Sequence, residues 1–61
     1  MLKRDITDDL FSIAVRRYHK EKPDTELTND MMDKIWYSIY GVLNHEGKEA
    51  AQEYARTAKL W

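Results

Sequence analysis

The fold of this 61-residue chain is decided by residues 29–44, NDMMDKIWYSIYGVLN. Two neighbouring apolar columns recur there at helical intervals, Met31-Ile35-Ile39-Val42 and Met32-Trp36-Tyr40-Leu43. Together the columns cover close to half of a helix circumference, whereas a helix packed against one neighbour needs only a single stripe. The segment is therefore predicted to form a helix that is covered on two sides.

Weaker helical patterns lie on either side of this segment. Upstream, residues 8–20 repeat apolar side chains at three- and four-residue intervals, and Pro23 closes the element because it disfavours helical geometry in the residue before it. Downstream, residues 48–60 show the same periodicity with alanines. The sequence predicts an all-α fold with helices over about 8–20, 29–44 and 48–60, arranged as a helical hairpin or small bundle in one domain, residues 1–61.

Two similar stretches indicate where helices begin, ITDDLF at residues 6–11 and LTNDMM at residues 27–32. In each stretch a threonine, Thr7 or Thr28, can cap the helix by accepting a backbone N–H with its hydroxyl oxygen. The flanking apolar pairs, Ile6 with Phe11 and Leu27 with Met32, match a hydrophobic staple. We therefore expect N-caps at both threonines.

Residues 44–47, NHEG, leave two interpretations open. Gly47 can end the second helix as a left-handed cap residue, so that a third helix follows. Alternatively, one long helix continues through Gly47, because the apolar positions stay in phase across it. A turn is favoured, since a glycine inside a helix costs about 1 kcal/mol relative to alanine.

The length of the chain favours association with a second copy. A 60-residue domain buries only about 60% of the surface that its unfolded chain exposes. Small natural domains usually add disulfides, a metal or a partner chain, but this chain has no Cys and only two widely separated His. We expect a homodimer whose interface lies on the second helix and includes Met32, Ile35, Trp36, Ile39, Tyr40 and Leu43.

No stretch of the chain carries a catalytic or cofactor motif. His45-Glu46 begins like a zinc-protease motif, but Glu49 stands where the second His is required. Neither Ser12 nor Ser38 has the neighbours of an activated nucleophile, and no glycine-rich phosphate loop is present. The sequence predicts no enzymatic activity, no catalytic residues, no cofactor and no metal.

Two groups of side chains are candidates for binding a partner. Tyr37 lies outside the two apolar columns and Trp61 ends the chain, so both are expected to be exposed, as aromatic interface residues often are. The alternative is a nucleic-acid-binding regulator that uses the basic group Arg16, Arg17 and Lys20. Residues 1–22 hold six basic and four acidic side chains, and the acidic ones weaken a phosphate-binding face.

Charge and hydropathy argue against two further classes of protein, one that coats a nucleic acid along its length and one that spans a membrane. The formal net charge of −1 gives no long-range field that would recruit an anionic polymer. No apolar run approaches the roughly 18 residues that a membrane span needs, and the first residues lack the apolar core of a signal peptide. We expect a soluble cytoplasmic protein with no membrane partner.

In its size, its capped helix starts at Thr7 and Thr28, and its cysteine-free helical body, the chain resembles the small accessory proteins of the early region of lambdoid bacteriophages. The resemblance implies a protein in the host cytoplasm that modulates a host process by binding a host factor, and it assigns no role to a particular residue. The resulting hypothesis is a small regulatory protein that binds another protein through an apolar and aromatic helix face, as a homodimer.

Overall fold

The computed structural model describes residues 2–61, which form three helices and no strand. They are α1 (Lys3–Glu21), α2 (Asn29–Glu46) and α3 (Lys48–Thr57). Each helix packs against the other two, and the Cα radius of gyration is 11.0 Å, close to the roughly 10.5 Å expected for a compact chain of this length. The predicted all-α fold is confirmed, although α1 begins well before Asp8 and α3 ends before Leu60.

The predicted cap at Thr7 is wrong. Helix α1 begins at Lys3, and its N-cap, Leu2, makes no side-chain capping bond. Thr7 lies inside the helix, where its side chain is fully buried and its hydroxyl donates to the Lys3 carbonyl oxygen at 2.7 Å. The staple predicted for Ile6 and Phe11 is lost with the cap. No glycine or proline precedes Thr7 to stop the helix from extending towards the N-terminus.

The predicted cap at Thr28 is confirmed. Its backbone is extended, and its hydroxyl oxygen accepts the N–H of Met31 at 3.2 Å. The linker from Lys22 to Thr28 contains Pro23, which prevents a helix from running through it. Pro23 therefore separates the two helices, and the Thr28 cap marks where α2 begins.

Gly47 separates α2 from α3, so the turn is confirmed and one continuous helix is excluded. Its φ of 96° and ψ of 177° fall in a region that glycine alone adopts readily, and differ from the left-handed helical cap that was predicted. The Gly47 N–H donates to the Leu43 carbonyl at 3.2 Å, while its own carbonyl accepts the Ala51 N–H at 3.0 Å. One residue thus closes one helix and opens the next.

The core lies where the three helices meet. Helix α2 contributes three branched aliphatic side chains, and α3 contributes two alanines, whose small volume permits close helix approach. The buried apolar cluster consists of Leu10, Ala14, Ile35, Ile39, Leu43, Ala51 and Ala55. Tyr18 is fully buried as well.

Three of the six residues predicted to form the dimer interface lie in this core, so that half of the prediction is wrong. Ile35, Ile39 and Leu43 retain at most 6% of their exposure and are covered by α1 and α3 of the same chain. They cannot also contact a second copy, because no surface of theirs remains to be buried. Of the predicted interface residues, Met32, Trp36 and Tyr40 remain partly exposed.

Candidate protein-binding surface

Three aromatic side chains form a continuous cluster on α2, away from the core, and we call Trp36, Tyr37 and Tyr40 the aromatic surface. The rings of Trp36 and Tyr40 are stacked, with centroids 5.1 Å apart and an interplanar angle of 12°. The ring of Tyr37 meets that of Trp36 edge-on, also at 5.1 Å. The stacked pair follows from the four-residue spacing, which places Trp36 and Tyr40 on one side of the helix.

A hydrogen bond between α1 and α2 fixes the orientation of Trp36. Its indole Nε1 donates to the Asp8 Oδ1 at 2.8 Å. From the sequence, Asp8 is expected only to lie in the first turn of a helix. No local pattern connects it with Trp36, which is 28 positions later. The bond gives the partly buried indole a fixed hydrogen-bond partner, so the orientation of Trp36 is set within its own chain.

The three rings differ in how much water they contact. Tyr37 is 67% exposed, in agreement with its position outside the two apolar columns. Trp36 and Tyr40 are partly buried, as is the neighbouring Met32. Large apolar groups with this much free surface are typical of sites at which one protein binds another.

Two hollows lie beside Trp36. One, of about 450 Å³, is lined by Phe11, Asn29, Met32, Asp33 and Trp36. The other, of about 320 Å³, is lined by Arg4, Asp8, Asp33, Trp36 and Tyr37. The aromatic surface therefore combines a projecting ring, Tyr37, with depressions next to it.

Trp61 is not exposed in the way that the sequence suggested. Its ring packs edge-on against Tyr18 at 5.5 Å, and the guanidinium of Arg17 lies 5.0 Å from the ring centroid. These contacts arise because α3 ends at Thr57 and the following residues return to α1. Trp61 is thus held by its own chain, which leaves Tyr37 as the exposed aromatic candidate.

The three residues of the basic group on α1 differ in their contacts, since Arg17 has partners within the chain and Arg16 and Lys20 are exposed. Arg17 donates from Nη1 to the Ala55 carbonyl at 2.8 Å, and its Nη2 lies 4.0 Å from the Glu21 carboxylate. Arg17 therefore links α1 to α3 and is not a free cation. Arg16 and Lys20 are exposed, and two cations make a small phosphate-binding face.

The two serines that were considered as nucleophiles both form hydrogen bonds within their own helices. The hydroxyls of Ser12 and Ser38 donate to the carbonyl oxygens of Asp8 and Lys34, four residues earlier. Within residues 2–61, no three His, Cys, Asp or Glu side chains come together in a group that could hold a metal ion.

None of the helices described is both long enough and apolar enough to cross a membrane.

Comparison with protein-family models, curated proteins and solved structures finds no match to this chain. Inferences about its function therefore depend on its own surface.

Proposed function

We propose that the protein is a small non-enzymatic regulator that pairs with a second copy through the aromatic surface and binds another protein as a dimer. The observation that supports the pairing is the cluster of Trp36, Tyr37 and Tyr40, ordered by Asp8 yet left partly in contact with water. Burying these rings releases water from apolar surface, and rigid aromatic rings lose little conformational freedom on binding.

A second copy is the occupant that suits the shape of this surface. In a two-fold dimer the same patch serves both partners, so it must be complementary to itself. A projecting Tyr37 beside a hollow next to Trp36 meets this condition, since each copy can place its ring in the depression of the other.

The charges around the hollow also suit a second copy. The hollow that Trp36 and Tyr37 both line includes one cation, Arg4, and two carboxylates, Asp8 and Asp33. A surface that carries both signs offers each charge an opposite partner in an identical copy. A strongly basic or acidic ligand, in contrast, would meet repulsion from part of it.

Sedimentation equilibrium of the wild type and two variants tests the pairing. The wild type is expected to change from monomer to dimer as concentration rises. Tyr37→Ala removes the projecting ring and is expected to weaken the dimer at least tenfold, the loss typical of an interface hot spot. Tyr37→Phe keeps the ring and is expected to dimerise like the wild type.

A monomeric wild type across the micromolar to millimolar range would contradict this function. So would a dimer that tolerates Tyr37→Ala without loss of affinity, because the seam would then lie elsewhere.

The regulatory part of the proposal concerns a further protein. The resemblance to accessory proteins of lambdoid phages implies a host factor as that partner. If the dimer is the binding form, tagged wild-type protein and Tyr37→Phe should retain the same partner from host extract, and the monomeric Tyr37→Ala should lose it. If all three proteins retain the partner, dimerisation is not required for partner binding.

A further inference from the structure

A second groove lies on another side of α2, where the residues after α3 pass beside it. We call it the C-terminal groove; it has a volume of about 430 Å³. Its apolar lining comes from Met31, Tyr54, Leu60 and Trp61. None of the three residues of the aromatic surface lines it, although an adjoining hollow that shares Met31, Lys34 and Ser38 with the groove extends to Tyr37.

Both charged residues of the C-terminal groove are lysines, Lys34 and Lys59, and no carboxylate lines it. Neither lysine lies within ion-pair distance of a carboxylate in the part of the chain that the structure describes. The four other hollows described on this surface each include at least one Asp or Glu. Asp30 and Asp33 line the adjoining hollow but not the groove itself, whose own charged side chains are both positive.

The apolar part of the groove is formed by the chain itself. Trp61 is held against Tyr18 and under Arg17, and Leu60 and Tyr54 pack against the core cluster. A ligand would find this apolar lining already ordered, so binding would not have to supply the cost of ordering these side chains.

We propose that the C-terminal groove binds an acidic segment of another protein. An apolar side chain of that segment contacts Met31, Leu60 and Trp61, and carboxylates beside it face Lys34 and Lys59. The apolar lining favours a peptide over a bare phosphate, which gains nothing from such a surface. This inference goes beyond the pairing of two copies and holds whether or not the chain dimerises.

Selection from a displayed library of random twelve-residue peptides tests the chemistry of the ligand. Wild-type protein is immobilised, and the enriched peptides are expected to combine Asp or Glu with Leu, Ile, Met or Phe. Synthetic versions of them are then titrated, with binding followed by fluorescence anisotropy of a labelled peptide. Their affinity should fall as salt is added, because opposite charges are screened.

Two double variants with the same change in charge locate the site. K34E/K59E reverses both lysines of the groove and is expected to weaken binding by roughly tenfold or more, because it places like charges opposite the ligand. K20E/K48E reverses two exposed lysines that do not line the groove and should bind nearly as well as the wild type. Thermal melts establish that both variants are folded under the assay conditions.

Three results would overturn the inference: no enrichment of any peptide class, enrichment of neutral or basic peptides, or equal losses in the two double variants. A second copy in the groove is also distinguishable, because K34E/K59E would then lower the sedimentation mass of the protein itself. If Tyr37→Ala no longer dimerises but still binds the peptide, the C-terminal groove and the aromatic surface are two different binding sites.

Discussion

Both sides of α2 carry large apolar side chains, but their surroundings differ. On one side, Ile35 and Ile39 are 1% and 0% exposed, because α1 and α3 both pack there. On the other side, Trp36 and Tyr40 keep part of their surface in water and Tyr37 is 67% exposed. The first side holds the fold together, and the second is available for association.

The number of neighbours explains the difference. Helices α1, α2 and α3 all contact one another, so both neighbours of α2 approach it from the side of their shared core. A fourth helix would be needed to cover the aromatic surface, and the described residues contain none. Four substitutions test this division of α2.

Ile39→Ala is expected to have the largest effect because Ile39 is fully buried between three helices. Removing a buried isoleucine side chain typically costs about 2 to 5 kcal/mol, which is most of the stability of a chain this small. The variant should show little cooperative thermal unfolding by circular dichroism. A melting temperature close to the wild-type value would mean that this side of α2 is not the core.

Arg17→Ala tests the link that holds α3 in place over the covered side. It removes the hydrogen bond to the Ala55 carbonyl and the contact with the Trp61 ring, and we expect a loss of about 1 to 2 kcal/mol. Arg16→Ala, one residue earlier and exposed, is the matched control and should unfold like the wild type in urea. Equal midpoints for the two variants would show that Arg17 contributes no more than a surface charge.

Trp36→Ala is expected to cost about 1 to 2 kcal/mol, less than the 3 to 5 kcal/mol typical of a core tryptophan. Trp36 is only partly buried, but it bonds to Asp8 and stacks on Tyr40. Asp8→Ala breaks only the hydrogen bond and should cost less than Trp36→Ala in the same urea titration. Complete unfolding of Trp36→Ala would place this residue in the core.

Tyr37→Ala is expected to change the stability of the monomer by less than about 0.5 kcal/mol, because the side chain is largely exposed. Denaturation at a concentration too low for the proposed dimer to form isolates this effect. A loss comparable to that of Ile39→Ala would contradict the division of α2 into a core side and an association side.

The helix content and the Thr28 cap are predictable because they depend on local chemistry. Apolar periodicity places α2, Pro23 separates it from α1, and Gly47 marks the turn before α3. Thr7 shows the limit of such reasoning. Its local pattern matches that of Thr28, but whether a threonine caps a helix depends on whether the residues before it can themselves become helical.

The candidate site is less predictable, because it depends on contacts between distant parts of the chain. Sequence patterns find the aromatic residues of α2 and the exposed Tyr37, but not which apolar column the neighbouring helices cover. The bonds from Trp36 to Asp8 and from Arg17 to Ala55 join residues with no periodic relation. The packing of Trp61 against Tyr18 likewise appears only once the path of the chain after α3 is known.

Whether two copies pair through the aromatic surface can be measured by ¹H–¹⁵N spectra over a dilution series. The two tryptophans provide an internal comparison, since Trp36 lies in the proposed seam and Trp61 packs against α1 of its own chain. We expect the Trp36 indole signal and the amide of Tyr37 to shift with concentration, and the Trp61 indole and the Ile39 amide to stay unchanged. Spectra that do not change with concentration, or shifts confined to Trp61 and its neighbours, would contradict this pairing.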